Sequence, residues 1–279
     1  MLLIADSGSS KCAWVVCDNR GKIILECKTI GFNPYFVSKD DIITNIESSE
    51  LITHTLDIKN IFFYGAGCGT ENKRQFIHDT LSLLFINSNI HVMHDIKGAC
   101  YSMYKGNTNI TSILGTGSNS CLFDGNDITE HAPALGYLIG DEASGNYFGR
   151  KVLNLYFNKL LPNELENKFK YQFDSDLSVI KDKIYNNTRA NFYLASFFPF
   201  ISENKDHEII KNLIYNSLNE FFNLHIKCYN NYRNLELNFI GSVAYYLKEE
   251  IIEIVNSENL SLGEIEQNPI YNLVKYHIK

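Results

Sequence analysis

The sequence predicts an α/β protein of two domains, and three observations carry that prediction. Strand-like and helix-like segments alternate along the first hundred residues. A glycine- and hydroxyl-rich turn follows the first strand, and the order strand, glycine turn, strand begins again near residue 109. The chain has 279 residues, more than one small core and enough for two domains of roughly 100–200 residues each.

Residues 2–5, 13–17 and 22–27 are short β-rich segments. Gly8-Ser9-Ser10 and Asp18-Asn19-Arg20-Gly21 separate them. The second break is a hairpin signal, so the chain opens with an antiparallel meander. Apolar residues at helical spacing predict a helix over 40–51. A strand over 61–64 ends at Gly65-Ala66-Gly67, and Phe76, Ile77, Leu81 and Leu84 mark a helix over 72–85. A strand over 91–93 runs into His94-Asp95, and a helix follows over about 96–104. The order then restarts with strands over 109–114 and 119–123, split by Gly115-Thr116-Gly117-Ser118, and the turn Asp124-Gly125-Asn126. After Gly145 the pattern is mostly helical, with a long amphipathic helix over 209–228. A late strand over 237–240 leads through Gly241-Ser242 into a helix that ends at about residue 255. This repetition is an internal-duplication signal. The boundary falls in the polar turn 105–109, giving domains of residues 1–108 and 109–279.

Hydrophobic residues make up 45% and charged residues 20%, an ordinary globular composition. The net charge of -7 argues against a nucleic-acid partner, which would need a basic face. Small anions stay possible, since local loops bind them. The apolar N-terminal run stops at Asp6 without the basic start of a signal peptide, and no uncharged stretch is long enough to span a bilayer. The seven cysteines are odd in number, scattered and free of any CxxC pair. They are expected as reduced core thiols of a cytoplasmic protein without membrane contact.

Five constellations are candidates for chemistry. Asp6-Ser7-Gly8-Ser9-Ser10-Lys11 joins two strands. Gly8 permits a tight turn, the serines add hydroxyls to backbone N–H groups, Lys11 adds charge, and Asp6 is placed to hold Mg²⁺. It is not a Walker A loop, and the alternative is a polar hairpin turn. Gly115-Thr116-Gly117-Ser118-Asn119-Ser120 is a second such turn. Gly136-Tyr137-Leu138-Ile139-Gly140-Asp141-Glu142-Ala143-Ser144-Gly145 places adjacent carboxylates between glycines. Asp141 suits a polyhydroxyl ligand or a metal, and Ser144 suits a helix cap. In His94-Asp95 the carboxylate suits a general base or a cap. Gly241-Ser242-Val243-Ala244 lets a flat ring lie against backbone or is a simple capped turn.

In this order the five pieces resemble the BadF/BadG/BcrA/BcrD ATPase family, and within it the N-acetylglucosamine kinase-like branch of the actin-like ATPase superfamily. The likeness runs from Ile4-Ala5-Asp6 through Tyr64-Gly65-Ala66-Gly67-Cys68 to Asn268-Pro269-Ile270-Tyr271. It implies two ribonuclease H-like domains flanking a nucleotide cleft, ATP and Mg²⁺, and phosphoryl transfer to an amino sugar, N-acetylglucosamine at its 6-hydroxyl being the first expectation. Asp95 matches the catalytic base. Gly8, Ser9, Ser10, Lys11, Gly115, Thr116 and Gly117 match the phosphate turns, and Asp6 the metal carboxylate. Gly241 and Ser242 match the adenosine turn. Asn33, Ser118, Asn119 and Asp141 match the sugar contacts. Cys12, Ala13 and Ala143 stand where relatives carry Thr, an acidic residue and Gly. The resemblance leaves two further expectations open: an activating ATPase of a 2-hydroxyacyl-CoA dehydratase, and a sugar sensor without catalysis. The apolar helices of the second half are compatible with a homodimer.

Overall fold

The structure is a computed structural model that describes residues 1–186 and 189–278. The chain divides into two compact units, Met1–Asn107 with Asn268–Lys279, and Thr108–Gln267.

The first unit holds β1 (Leu2–Ser7), β2 (Lys11–Cys17), β3 (Ile23–Ile30), α1 (Lys39–Glu47), β4 (Asn60–Gly65), α2 (Glu71–Ser82), β5 (Asn89–His94) and α3 (Asp95–Met103). The expected meander is present: β1 pairs antiparallel with β2, and β2 with β3. Asp18 closes its hairpin by accepting from the Arg20 and Lys22 N–H groups, with Gly21 at φ 82°. α1 starts at a capping box in which Ser38 and Asp41 satisfy each other's backbone N–H. It stops at Glu47, and a 3₁₀ turn over Glu50–His54 replaces the rest of the expected helix.

The second unit holds β6 (Asn109–Leu114), β7 (Ser118–Phe123), β8 (Ile128–His131), α4 (Gly145–Phe157), α5 (Asn163–Gln172), α6 (Leu177–Tyr185), α7 (Ala190–Ala195), α8 (Phe198–Glu203), α9 (Glu208–Phe221), β9 (Glu236–Ile240), α10 (Ser242–Tyr246), α11 (Lys248–Ser257) and β10 (Ser261–Glu266). The final helix is α12 (Ile270–Ile278). The long helix expected over 209–228 is α9 followed by one π-helical turn, Phe222–Ile226.

The two sheets share one topology. The first has the order β3-β2-β1-β4-β5 and the second, written in the same sense, β8-β7-β6-β9-β10. In each, the central strand pairs antiparallel with the next strand in sequence and parallel with a later one. The duplication is therefore carried by strand order and direction, the arrangement of the ribonuclease H-like domain.

One limit differs from the expected domains 1–108 and 109–279. Residues 268–279 belong to the first unit, because α12 completes its core. Ile270, Leu273 and Val274 pack with Ile4, Val15, Cys17 and Tyr64 on one face of the first sheet. Trp14, Phe32 and Phe63 fill the opposite face. The core of the second unit includes Phe148, Phe169, Phe200, Phe221 and Phe239. Five of the seven cysteines are buried, Cys27 is half-buried and Cys228 is exposed. Among the described residues no helix is long and apolar enough to cross a membrane.

Candidate functional site

In the first unit β1, β4 and β5 are parallel, so Ser7, Gly65 and His94 lie in register at one edge of the sheet. Open α/β sheets bind ligands off the carboxyl ends of such strands. Four candidates gather there. The turn between β1 and β2 is closed by the Gly8 N–H, which donates to the Lys11 carbonyl at 3.0 Å. The loop after β3 is seated on this turn. Phe32 N–H donates to Ser7 Oγ at 2.9 Å, and Asn33 Nδ2 donates to Ser9 Oγ at 2.8 Å. Asn33 is thus tied to the turn, and Gly67, at φ +79°, leaves it room: a Cβ there would lie 2.3 Å from Asn33 Oδ1.

The glycines divide in a way the sequence does not reveal. Gly8, expected to permit the turn by its freedom, is not in the left-handed region, and its nearest contact for an added Cβ is ordinary at 3.6 Å. The crowded position is Gly31, where a Cβ would lie 2.1 Å from the Gly8 carbonyl oxygen.

Asp95 is the first residue of α3, and His94 before it makes no side-chain cap. Asp95 Oδ1 accepts from the Ile96 N–H at 2.8 Å and lies 3.2 Å from His94 Nε2. Its side chain stays 21% exposed, open to a ligand. Asp6 is half-buried at the end of β1. Burial, and then the Asp95 carboxylate, push its pKa up to about 7, against the pull of Lys11. Among the described residues no cluster of three or more His, Cys, Asp or Glu is set to hold a metal ion. Mg²⁺ is commonly bound by one or two carboxylates with phosphate and water supplying the rest, and two mutually repelling carboxylates fit that pattern.

In the second unit the turn between β6 and β7 is held by the start of α4. The Gly115 N–H donates to the Gly117 carbonyl at 2.9 Å, and the Gly145 N–H donates to the Gly115 carbonyl at 2.8 Å. Asn146 Nδ2 donates to the Thr116 carbonyl at 2.6 Å and to Asp141 Oδ2 at 2.7 Å. The Ser118 N–H donates to Asp141 Oδ1 at 3.4 Å. Asp141 therefore braces the 116–118 turn. Burial raises its pKa, opposed by Asn146, the Ser118 N–H and Arg150, while Glu142 adds to the rise. Ser144 is the helix cap anticipated, accepting from the Tyr147 N–H. Asp141 and Ala143 sit at φ 59° and 54°, so alanine occupies a left-handed position that suits glycine better. Asn119 is half-buried, and its Oδ1 accepts from the Ser120 N–H at 2.9 Å.

Gly241 is obligatory. It stands at φ +118°, and a Cβ would lie 2.3 Å from the Leu114 carbonyl oxygen. The backbone before Ser242 thus lies against the start of the 115–118 turn, whereas a Cβ on Gly115 itself would meet nothing within 4 Å. Sequence reasoning missed Gly31, Gly67 and Asn146. Gly31 was within reach, in Gly31-Phe32-Asn33-Pro34, but its contact partner is distant in sequence.

The fold and these turns define a two-domain protein of the actin-like ATPase and sugar kinase class. The model of the BadF/BadG/BcrA/BcrD ATPase family matches residues 5–274, and the chain belongs to that family. It is 34% identical to a proposed N-acetylglucosamine kinase from Porphyromonas gingivalis, with a TM-score of 0.91, over 100% of this chain and 99% of that one. A proposed N-acetylglucosamine kinase from Chromobacterium violaceum is 14% identical, with a TM-score of 0.67, over 100% and 98%. A ROK family glucokinase from Streptomyces griseus, solved with glucose and AMPPNP, is 14% identical, with a TM-score of 0.55, over 98% and 97%. The last two likenesses concern the fold. Among curated proteins none matches.

Proposed function

We propose that this protein is an ATP-dependent sugar kinase acting in the cytoplasm on an amino sugar, with N-acetylglucosamine and its 6-hydroxyl as the first candidate acceptor. One observation carries the reading. Gly8 and Gly115 have neither a left-handed φ nor a crowded Cβ, so the fold itself does not require glycine at either turn. Close approach of a ligand to the backbone does require it. The 34% identical relative supports the choice of sugar.

Asp95 accepts the proton of the sugar hydroxyl as its oxygen attacks the γ-phosphorus; the bond to the β–γ bridging oxygen breaks and ADP leaves. His94 at 3.2 Å steadies the base. The 8–11 and 115–118 turns offer N–H and hydroxyl donors to phosphate oxygens, and Lys11 adds a cation. Gly241 and Ser242 take the adenosine, and Asn33, Ser118, Asn119 and Asp141 form or brace the sugar contacts. Asp6, with Asp95 beside it, would hold Mg²⁺, and the ion would supply neutralisation of phosphate charge.

The test is ADP release across N-acetylglucosamine, glucosamine, N-acetylmuramic acid and neutral hexoses, with mass detection of the sugar phosphate. Phosphorylated N-acetylglucosamine is expected. ATP consumption without any sugar phosphate would sink the reading.

Asp6 gives a second test. Its folded pKa of about 7 exceeds the ordinary 3.8, so the folded state holds that proton more tightly. Stability from this group is therefore greatest below about pH 4 and declines as pH rises towards 7. Asp6→Asn removes this half-buried charge. It is expected to raise the melting temperature at pH 8, by about 1–3 kcal/mol of stability, and to gain little at pH 4, while transfer activity is lost. Melts at both pH values check this; equal shifts at the two would refute it.

A further inference from the structure

We propose that His225 is a positioning residue for the acceptor, holding Glu142 so that its carboxylate receives a sugar hydroxyl in a cavity of the second unit. The inference rests on the sugar-kinase reading and extends it to two residues with no role so far.

Glu142 and His225 are 8% and 3% exposed, and His225 Nε2 lies 2.9 Å from Glu142 Oε2. A buried carboxylate is costly unless it is hydrogen-bonded. The imidazole supplies that bond. With the proton on Nε2, the buried Nδ1 has no partner. A core histidine kept for packing alone would not need this arrangement. The ring also stacks on Phe221, with centroids 4.8 Å apart, so its plane is fixed.

The backbone is shaped around the same pair. His225 lies on the π-helical turn Phe222–Ile226, where the Lys227 N–H reaches back to the Phe222 carbonyl. Such turns recur at functional sites. The His225 carbonyl is bonded instead by Ser120 Oγ at 2.7 Å, and the same hydroxyl meets Tyr229 Oη at 2.8 Å. Ser120 follows Ser118 and Asn119 in β7. The π turn is thus anchored to the strand that carries the proposed sugar contacts. On the other side, Glu142 lies between Asp141 and Ala143, both at positive φ. That backbone directs the Asp141 carboxylate to the 116–118 turn while the next carboxylate meets His225.

Glu142 also lines a cavity of about 460 Å³ with Gly140, Tyr147, Arg150, Asn154 and Glu220. Carboxylate acceptors, an amide, a cation and an aromatic ring are the groups that bind a polyhydroxyl ligand. Asp141, the neighbour of Glu142 in the chain, does not line this cavity and turns its carboxylate to the 116–118 turn.

The experiment is steady-state kinetics with N-acetylglucosamine at saturating ATP, and with ATP at saturating N-acetylglucosamine, on wild type, His225→Phe, His225→Gln and Glu142→Gln. Phenylalanine keeps the stack on Phe221 and removes the donor; glutamine restores a donor. His225→Phe and Glu142→Gln are expected to raise the KM for N-acetylglucosamine about tenfold with the KM for ATP little changed, and His225→Gln to recover most of the loss. Calorimetric binding of N-acetylglucosamine reads the same comparison if turnover is absent. An unchanged sugar KM in His225→Phe overturns this proposal alone. A parallel rise in both KM values with a fall in kcat, not rescued by glutamine, marks a merely structural role and overturns it too. Wild-type protein that neither binds nor phosphorylates N-acetylglucosamine overturns the parent reading and this one with it.

Discussion

Asp95→Asn is expected to slow phosphoryl transfer by about 10²–10⁴-fold, the usual contribution of a positioned general base, while nucleotide still binds. The substitution keeps shape and the Oδ1 acceptor that receives the Ile96 N–H. It removes the basicity that takes the hydroxyl proton. It also removes the negative charge that helps to push up the pKa of Asp6. Asp6 should then ionise at lower pH, which offsets in part the carboxylate charge lost beside the metal site, so nucleotide still binds near pH 6. Single-turnover transfer and nucleotide binding, measured side by side, separate the two effects. Full transfer activity in the variant would remove Asp95 from the role of base.

Gly31→Ala is the second large effect expected. Its Cβ would meet the Gly8 carbonyl oxygen at 2.1 Å, the Ser9 carbonyl carbon at 2.6 Å and the Ser10 nitrogen at 2.8 Å. All three are backbone atoms of the turn, so no side-chain tip can swing aside. Either the loop after β3 lifts or the turn deforms. Lifting the loop breaks the bonds from Phe32 N–H to Ser7 and from Asn33 to Ser9. Overpacking of this kind costs about 1–3 kcal/mol. The KM for ATP and the KM for the sugar should both rise about tenfold, because the turn and Asn33 are displaced together. Gly8→Ala, with its nearest contact at 3.6 Å, should fold with little loss and impair ATP use alone. Kinetics and melts of the two variants check the contrast; a Gly31→Ala enzyme with wild-type constants would refute it.

Much of the first unit was legible in the sequence. Each of its strands is short, β-rich and bounded by glycine or a polar turn, and helices and strands there alternate with clean periodicity. The second unit was less so. β8, Ile128–His131, is four residues long with two exposed polar side chains. β10, Ser261–Glu266, carries a glycine and two glutamates and pairs through an irregular register. Both are edge strands held by their neighbours rather than by propensity. Without them the identical strand order of the two sheets cannot be seen. The candidate turns were legible because glycine and serine stand out locally. The braces were not: Gly31 on Gly8, Asn146 on Thr116 and His225 on Glu142 are contacts across the fold, and no local pattern marks them.

The assignment of α12 to the first unit has a consequence for biosynthesis. The apolar face formed by Ile4, Val15 and Tyr64 is closed by Ile270, Leu273 and Val274. Those residues leave the ribosome only after the whole of Thr108–Gln267, a delay on the order of ten seconds. During that interval the face is covered only in part, by α3, whose Gly98 and Tyr101 pack on the Tyr64 side, and the half that carries Asp6 and Asp95 is completed last although it is translated first.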